Sequence, residues 1–191
     1  MKRTFPIRTL VTITISLAVA SNIAAGDQPS VDPHLEFLQP WLDKTFKSED
    51  KKASSGKPTT DVARWERALN GKAVRITHSL NDGAYGGEVI VRWDEEKQAV
   101  CYHYFTTDTF WTEGTMNFKD GKITSHEFVK GKAGGVTEVR ATLEMRSDGT
   151  YLQKSEFLKD GKWTPGREAL YRPDPAARHF QMISSSEPAD L

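Results

Sequence analysis

Cysteine is almost absent from this chain, and its scarcity excludes two architectures. Cys101 is the single cysteine among 191 residues. One thiol cannot form an internal disulfide, and it cannot supply the several thiolates of a structural zinc site. Its apolar surroundings, AVCYHYF, favour a packed side chain over a nucleophile, because free cysteine is among the most buried residue types. The fold must therefore be stabilised by a hydrophobic core.

An excess of positive charge is also missing. The chain has 26 Lys and Arg residues and 26 Asp and Glu residues. Residues 1–25 contain three of the basic side chains and no acidic one, so the remainder has 23 basic against 26 acidic residues. Nucleic-acid binding requires Lys and Arg clustered along one surface, and we therefore expect no nucleic-acid partner.

Long hydrophobic runs are missing as well. The most apolar stretch, residues 10–20, is too short for a comfortable membrane span. Three basic residues precede it and small residues follow it, which is typical of a secretory signal peptide. We expect cleavage after Ala20 or Ala25, no membrane span in the mature protein, and a periplasmic or secreted location. An uncleaved anchor helix is the alternative.

Familiar catalytic and metal-binding motifs are not found. The five histidines lack the spacing of a zinc protease helix, and no Gly-x-Ser-x-Gly elbow occurs. The segment HSLNDGAYGGEVIVRWD, residues 78–94, is rich in glycine but continues as a strand instead of the helix that a phosphate loop needs. We interpret its glycines as a turn and a close backbone approach. The sequence therefore indicates no catalytic residue, no metal ligand and no particular cofactor.

The sequence does contain a series of Asn-Gly and Asp-Gly pairs. Such pairs tolerate the positive φ angles of tight hairpin turns. The segments between them are rich in β-branched and aromatic residues, and their connections are too short for a crossover helix. The pairs stand at Asn70-Gly71, Asp82-Gly83, Asp120-Gly121, Asp148-Gly149 and Asp160-Gly161. We expect antiparallel strands over 72–80, 86–94, 98–106, 110–118, 122–130, 136–146, 150–158 and 162–172.

Successive antiparallel strands with one apolar face are expected to close, because closure removes unpaired sheet edges. Residues 61–69 fit either a helix or a strand, and we favour the strand. LEFLQPWL predicts a short N-terminal helix that leads into another strand near 44–50. The prediction is an all-β, antiparallel up-and-down barrel of nine or ten strands. Its expected parts are a signal peptide (1–25), a flexible segment (26–33), the barrel (34–172) and a tail (173–191), with a loop at 51–60.

The interior of such a barrel is the expected place of function. A barrel of this strand number has an interior that side chains fill or that holds one small ligand. On most strands the alternation of residues identifies one apolar face, but in CYHYFTT both faces are aromatic or apolar. This strand is therefore either covered on both sides or points Tyr102 and Tyr104 outward. We predict five ligand-binding residues at the pocket or its entrance, namely His78, Tyr85, Trp93, His103 and Phe105.

Several stretches resemble bacterial lipocalin-like (calycin) domains, small exported proteins without an assigned activity. The matching residues are Arg64-Trp65-Glu66, Leu69 to Lys72, Asp94 to Lys97 and Glu113 to Thr115. The likeness covers roughly residues 35–172 and implies a closed or nearly closed antiparallel barrel. The Gly-x-Trp of true lipocalins is absent, and DKTFKSE stands in its place. The resemblance implies no catalytic residues.

Three functions remain open at this point. The first is a container for a small apolar or amphipathic molecule. The second is an enzyme or haem protein, which requires His78 or His103 close to Glu88, Glu113 or Glu127, or facing an open coordination position. The third is a protein-interaction scaffold with an exposed apolar patch around Phe110 and Trp111. A simpler interpretation of the histidines and carboxylates is that they pair across neighbouring strands.

Overall fold

The protein is a closed barrel of ten antiparallel strands, preceded by a short 3₁₀ helix, Pro33–Leu38. The structure, a computed structural model, describes residues 29–50 and 59–178. The strands are β1 (Lys44–Asp50), β2 (Thr59–Ala68), β3 (Ala73–Leu80), β4 (Tyr85–Asp94), β5 (Ala99–Thr106), β6 (Phe110–Lys119), β7 (Lys122–Gly131), β8 (Val136–Met145), β9 (Tyr151–Lys159) and β10 (Lys162–Pro173). The predicted fold class is confirmed, and residues 61–68 form a strand, as we favoured.

Each strand pairs with the one before it, and β1 pairs with β10 to close the barrel. The predicted signal peptide, most of the predicted 51–60 loop and the end of the predicted tail lie outside the described residues. Within the part of the chain that the structure describes, no helix has the length and apolar character needed to cross a bilayer.

Two of the predicted turns have the expected tight geometry. Asp120 and Gly121 join β6 to β7 with φ angles of 53° and 75°, and Asp160 and Gly161 join β9 to β10 with 51° and 72°. Positive φ at both central positions gives the twist that a two-residue hairpin requires. The prediction from Asp-Gly is confirmed at these two corners.

The Asn70-Gly71 corner is wider than a two-residue turn. Leu69, Asn70 and Gly71 all have positive φ, and residues 69–72 connect β2 to β3. The N-terminal segment packs here, since the Asp32 amide donates to the Gly71 carbonyl at 2.8 Å. A Cβ atom on Gly71 would lie 2.0 Å from the Ser30 carbonyl oxygen. Glycine at this corner therefore allows the N-terminal segment to approach the barrel.

This segment closes one end of the barrel. We call its buried apolar residues the plug: Val31, Leu35, Leu38, Trp41 and Leu42. The Trp41 ring lies 5.8 Å from that of Trp65 and 6.3 Å from that of Tyr151, so it packs on the barrel interior. The spacing of the leucines in LEFLQPWL follows from this contact, because they share the face that points into the barrel.

Two other rings of the helix, one exposed and one half-buried, contact the rim of this end. His34 stacks on Trp93 with ring centroids 3.9 Å apart, and Phe37 stacks on Phe118 at 5.5 Å. Trp93 and Phe118 stand near the ends of β4 and β6. The helix is thus attached to β4 and β6, two strands on the same side of the barrel with β5 between them, which holds it against that part of the rim.

The faces of β5 differ from one of our expectations. Tyr102 and Tyr104 point into the barrel, not outward. Their direction follows from the register, because Tyr102 lies opposite Val91 and Tyr104 opposite Val89, and directly opposed residues share a face. Cys101 is buried on the other face, as predicted, and burial raises the pKa of its thiol.

Candidate functional site

A cavity of about 560 Å³ occupies the barrel interior, from the Trp65 and Tyr151 rings that contact the plug towards the opposite end of the barrel. It reaches the loops 107–109 and 132–135, where Asp108 and Lys132 line its rim. We call this the mouth end. One wall of the cavity is apolar and comes mainly from β7, β8 and β9; its residues are Val129, Val139, Ala141, Leu143 and Phe157.

The opposite wall is polar and is centred on Asp61 of β2, which is 3% exposed. The Arg167 guanidinium donates to Asp61 at 2.6 Å and to the Ser48 hydroxyl at 2.7 Å. The Tyr171 hydroxyl also donates to Asp61, at 2.6 Å. Burial alone would raise the pKa of Asp61, but hydrogen bonds from His78 and Tyr171 and the charge of Arg167 lower it. Asp61 is therefore a stable buried carboxylate.

A second set of hydrogen bonds extends from Asp61 along the polar wall. His78 Nδ1 lies 3.2 Å from Asp61 Oδ1, and His78 Nε2 lies 2.7 Å from the Tyr104 hydroxyl. The Tyr104 hydroxyl in turn lies 2.7 Å from that of Tyr85. In the tautomer with the proton on Nδ1, His78 donates to Asp61 and accepts from Tyr104. The relay then continues to Tyr85, which donates to Tyr104.

Gly87 creates the space that this relay needs. A Cβ atom on Gly87 would lie 2.5 Å from a ring carbon of Tyr104 and 2.2 Å from the Phe105 carbonyl oxygen. Both distances are too short for a side chain at position 87. The Tyr104 ring can therefore lie against β4 only because residue 87 is glycine. The glycine-rich segment therefore has the structural role that the sequence indicated, and it also shapes the cavity.

A further carboxyl group, Glu127 on β7, lies in the cavity lining. The Thr112 hydroxyl donates to it, and Tyr102 is a second hydrogen-bond partner. Within residues 29–50 and 59–178, no lysine or arginine forms an ion pair with Glu127. Burial raises the pKa of Glu127 more than these hydrogen bonds lower it. Its environment thus differs from that of Asp61, which has a cationic partner.

The five predicted site residues do not come together. His78 and Tyr85 line the cavity, whereas Trp93 is at the plugged end against His34. His103 and Phe105 lie on the outer surface, because they alternate with the inward tyrosines of β5. Their ring centroids are 6.3 Å apart, and each also lies about 6 Å from the exposed Trp111 ring.

Three residues that supply polar groups to the cavity were not predicted: Asp61, Tyr104 and Arg167. Glu127 was named only as a possible partner of a histidine in the enzyme hypothesis. A signal for some of them exists in the alternation. Glu127 has the same parity as Ile123 and Val129, and Asp61 has that of Ala63 and Trp65. A charged residue at an inward position of a strand is a candidate for function, since burying it requires partners. The partners themselves come from distant strands.

The other polar pairs lie apart from the cavity. His126 and Glu138 are 2.6 Å apart, and His103 lies 3.9 Å from Glu113. Among the described residues, no group of three or more His, Cys, Asp or Glu side chains is arranged to hold a metal ion. Both ring nitrogens of His78 already have partners, so an iron atom would have to displace Tyr104 or Asp61.

Comparison with known proteins identifies the fold but no family. No protein-family model matches the sequence, and neither does any curated protein. The chain is similar in structure to the crystal structure of Rv2717c from M. tuberculosis, with a TM-score of 0.57 and 12% sequence identity. The similarity covers 76% of this chain and 99% of that chain. At this identity the likeness shows a shared barrel fold and carries no activity over.

Proposed function

We propose that this protein is an exported, lipocalin-like barrel that binds one small amphipathic molecule in its interior. The observation that carries the proposal is the cavity of about 560 Å³. Ligand sites commonly have volumes of about 300–1,000 Å³ and mostly apolar linings with a few polar groups. Trp41 of the plug packs against Trp65 and Tyr151 at one end of the barrel, so the space beyond these rings is not a general feature of loose packing.

The two walls favour a ligand with two kinds of surface. An apolar body would pack on the wall that includes Val139, Ala141 and Phe157, and a polar group would face the hydroxyls of Tyr85 and Tyr104. Burial of apolar ligand surface contributes about 25 cal/mol per Å². Polar groups fix the orientation, because each would lose hydrogen bonds in the reverse pose.

A substitution that fills the cavity tests the proposal. The probe is N-phenyl-1-naphthylamine, an uncharged apolar fluorophore whose emission rises in apolar surroundings. We expect saturable binding to the wild type and a loss of about tenfold or more in affinity for Ala141→Phe, since the new ring occupies the cavity. Thr142→Phe, the next residue on β8, points to the outer face and is the matched control.

Two results would contradict the proposal: no saturable binding to the wild type, or equal binding to Ala141→Phe. Thermal unfolding of both variants shows whether each remains folded. A variant that binds less while it unfolds at the wild-type temperature has lost space, not structure.

The other two hypotheses have less support. His78 pairs with Asp61 instead of one of the carboxylates that the enzyme hypothesis named. His103 lies 3.9 Å from Glu113, beyond hydrogen-bond distance, and this pair is on the outer face of the barrel. An absorption spectrum of protein purified from its native host tests haem binding directly. For the scaffold hypothesis, Trp111 and Phe105 are exposed on the outer face, but Phe110 lines the cavity. The contact surface therefore remains a prediction without an indicated partner.

A further inference from the structure

We propose that the cavity selects organic cations, specifically a protonated amine on an apolar body, and that Glu127 binds the ammonium group. This inference rests on the proposed function, since it names the class of ligand for the same cavity. It depends on the balance of charges inside the barrel, on the hydrogen-bonding capacity of Glu127 and on the aromatic rings around it.

Among the residues that the structure describes, no lysine or arginine side chain forms an ion pair with Glu127 in the cavity. Arg167 and Asp61 form an ion pair 2.6 Å apart, so their charges compensate each other. At the rim, Lys132 and Asp108 have opposite signs. A cationic ligand would supply the missing partner of Glu127, whereas an anionic ligand would bring a second negative charge into a site of low dielectric constant.

Glu127 also has capacity for additional hydrogen bonds. A carboxylate offers about four acceptor positions. Thr112 and Tyr102 are its two hydrogen-bond partners in the structure. An ammonium group has three donors and no acceptor, so it matches the remaining capacity of an ionised carboxylate. Charge-assisted hydrogen bonds of this kind are roughly twice as strong as neutral ones.

Three aromatic rings line the same cavity as Glu127. Tyr85, Tyr102 and Tyr104 all line the cavity. Burial is the main factor that raises the pKa of each of these tyrosines, and the negative charge of Glu127 adds to it, which places all three hydroxyls within its field. The faces of aromatic rings attract cations, with a gain of about 0.5–2 kcal/mol per contact. The tyrosines therefore favour a positively charged ligand, as Glu127 does.

Three ligands of equal chain length separate this inference from the proposed function. Decylamine, 1-decanol and decanoic acid, each kept below its micelle concentration, compete with N-phenyl-1-naphthylamine at pH 7. We expect decylamine to displace the fluorophore at a concentration about tenfold lower than 1-decanol, and decanoic acid to be the weakest.

Glu127→Gln keeps the shape of the side chain and removes its charge. We expect this variant to bind decylamine about tenfold more weakly and 1-decanol within about twofold of the wild type. Glu156→Gln, on the outer face of β9, is the matched control and should behave as the wild type. Fluorophore binding by Glu127→Gln shows that its cavity remains intact.

Each outcome has a defined meaning. If 1-decanol competes as well as decylamine in the wild type, or if Glu127→Gln binds decylamine normally, the selection of cations is wrong while the container remains. If decanoic acid is the strongest competitor, the charge preference is reversed. If the fluorophore and all three ligands fail to bind, the proposed function and this inference both fall.

Discussion

Asp61 and Glu127 are carboxyl groups in one cavity, yet their surroundings move their pKa values in opposite directions. Both are desolvated. Asp61 compensates for this with His78, Tyr171 and a cationic partner, Arg167, whereas Glu127 has hydroxyl groups alone as its hydrogen-bond donors. Hydroxyl donors stabilise a carboxylate less than an arginine does. The two residues thus have different tasks: Asp61 holds strands together, and Glu127 faces the cavity.

The raised pKa of Glu127 predicts how stability depends on pH. The folded protein binds a proton more tightly at Glu127 than the unfolded chain, whose carboxyl has a pKa near 4.5. The contribution of this group to the free energy of unfolding therefore falls as pH rises from about 4.5 through the folded pKa. We expect Glu127→Gln to lack this decline and to be more stable than the wild type at pH 8.

Urea unfolding at pH 4, 6 and 8 measures the effect as the difference between variant and wild type. The difference should be smallest at pH 4, where the carboxyl is mostly protonated in both the folded and the unfolded protein, and largest at pH 8. A difference that does not change with pH would show that folding leaves the pKa of this carboxyl unchanged and that its burial is less complete than the structure indicates.

At the scale of elements, the carboxylate of Asp32 anchors the 3₁₀ helix through three hydrogen bonds. Asp32 accepts hydrogen bonds from the backbone amide of His34, at 3.1 Å, from its ring, at 3.0 Å, and from Lys72, at 3.1 Å. The hydrogen bonds from His34 are the largest cause, followed by that from Lys72, and together they lower the pKa of Asp32 to about 2. The residue caps the helix and also joins it to the β2–β3 connection.

We expect Asp32→Ala to destabilise the protein by about 1 kcal/mol at pH 7, the usual effect of losing an N-cap. Because the pKa of Asp32 is lowered, its contribution is complete above the unfolded value near 3.8 and disappears as pH falls through about 2. Glu36→Ala, exposed in the same helix, is the control and should change stability little. Chemical denaturation at pH 7 and pH 2 checks both expectations; an equal loss at both values would contradict them.

The strands were predictable from the sequence because their signals are local. Asp120-Gly121 and Asp160-Gly161 specify tight turns through their own φ angles, whatever surrounds them. The faces of β5 were not identified, since both contain aromatic residues and no local pattern separates them. Counting across the hairpin from Trp93, which lies opposite Val100, would have placed Tyr102 and Tyr104 inside.

The site was much less predictable than the strands. Asp61 and Arg167 are 106 positions apart and belong to strands on either side of β1. They meet because the sheet closes, and no local sequence pattern around either residue indicates that the other is its partner. His78 was found because it shares a parity with Val74 and Ile76, whereas its partner Asp61 could be recognised only after closure had been established.

At the scale of the whole molecule, closure depends on the seam between β1 and β10. Three residue pairs form this register, against seven between β1 and β2. Arg167 strengthens the seam, because one guanidinium binds Ser48 of β1 and Asp61 of β2 while its backbone belongs to β10. The polar wall of the cavity is therefore also the element that completes the barrel.

We expect Arg167→Met to lower the free energy of unfolding by about 2–4 kcal/mol, somewhat less than the loss at a fully buried ion pair, because the variant leaves Asp61 buried without its cation. The expected loss is smaller because the Arg167 side chain is 30% exposed. The double variant Arg167→Met, Asp61→Leu should recover part of the loss, since it also removes the buried carboxylate that Arg167→Met leaves without its cation. Arg140→Met, which removes an arginine stacked on Trp163 outside the barrel, is the control.

Urea midpoints of the four proteins provide the comparison. A double variant that is less stable than Arg167→Met alone would show that the network stabilises the seam through geometry and not through charge compensation.

Within the residues that the structure describes, the plug closes one end of the barrel and the cavity opens at the other. The tryptophan and leucine side chains of the plug lie behind a bound ligand, so a competing ligand cannot enter from that end while the first is bound. Exchange must then proceed by departure first and arrival second. The residence time of a bound ligand is consequently set by the ligand and by the open end of the barrel, and it does not depend on the concentration of competing ligands.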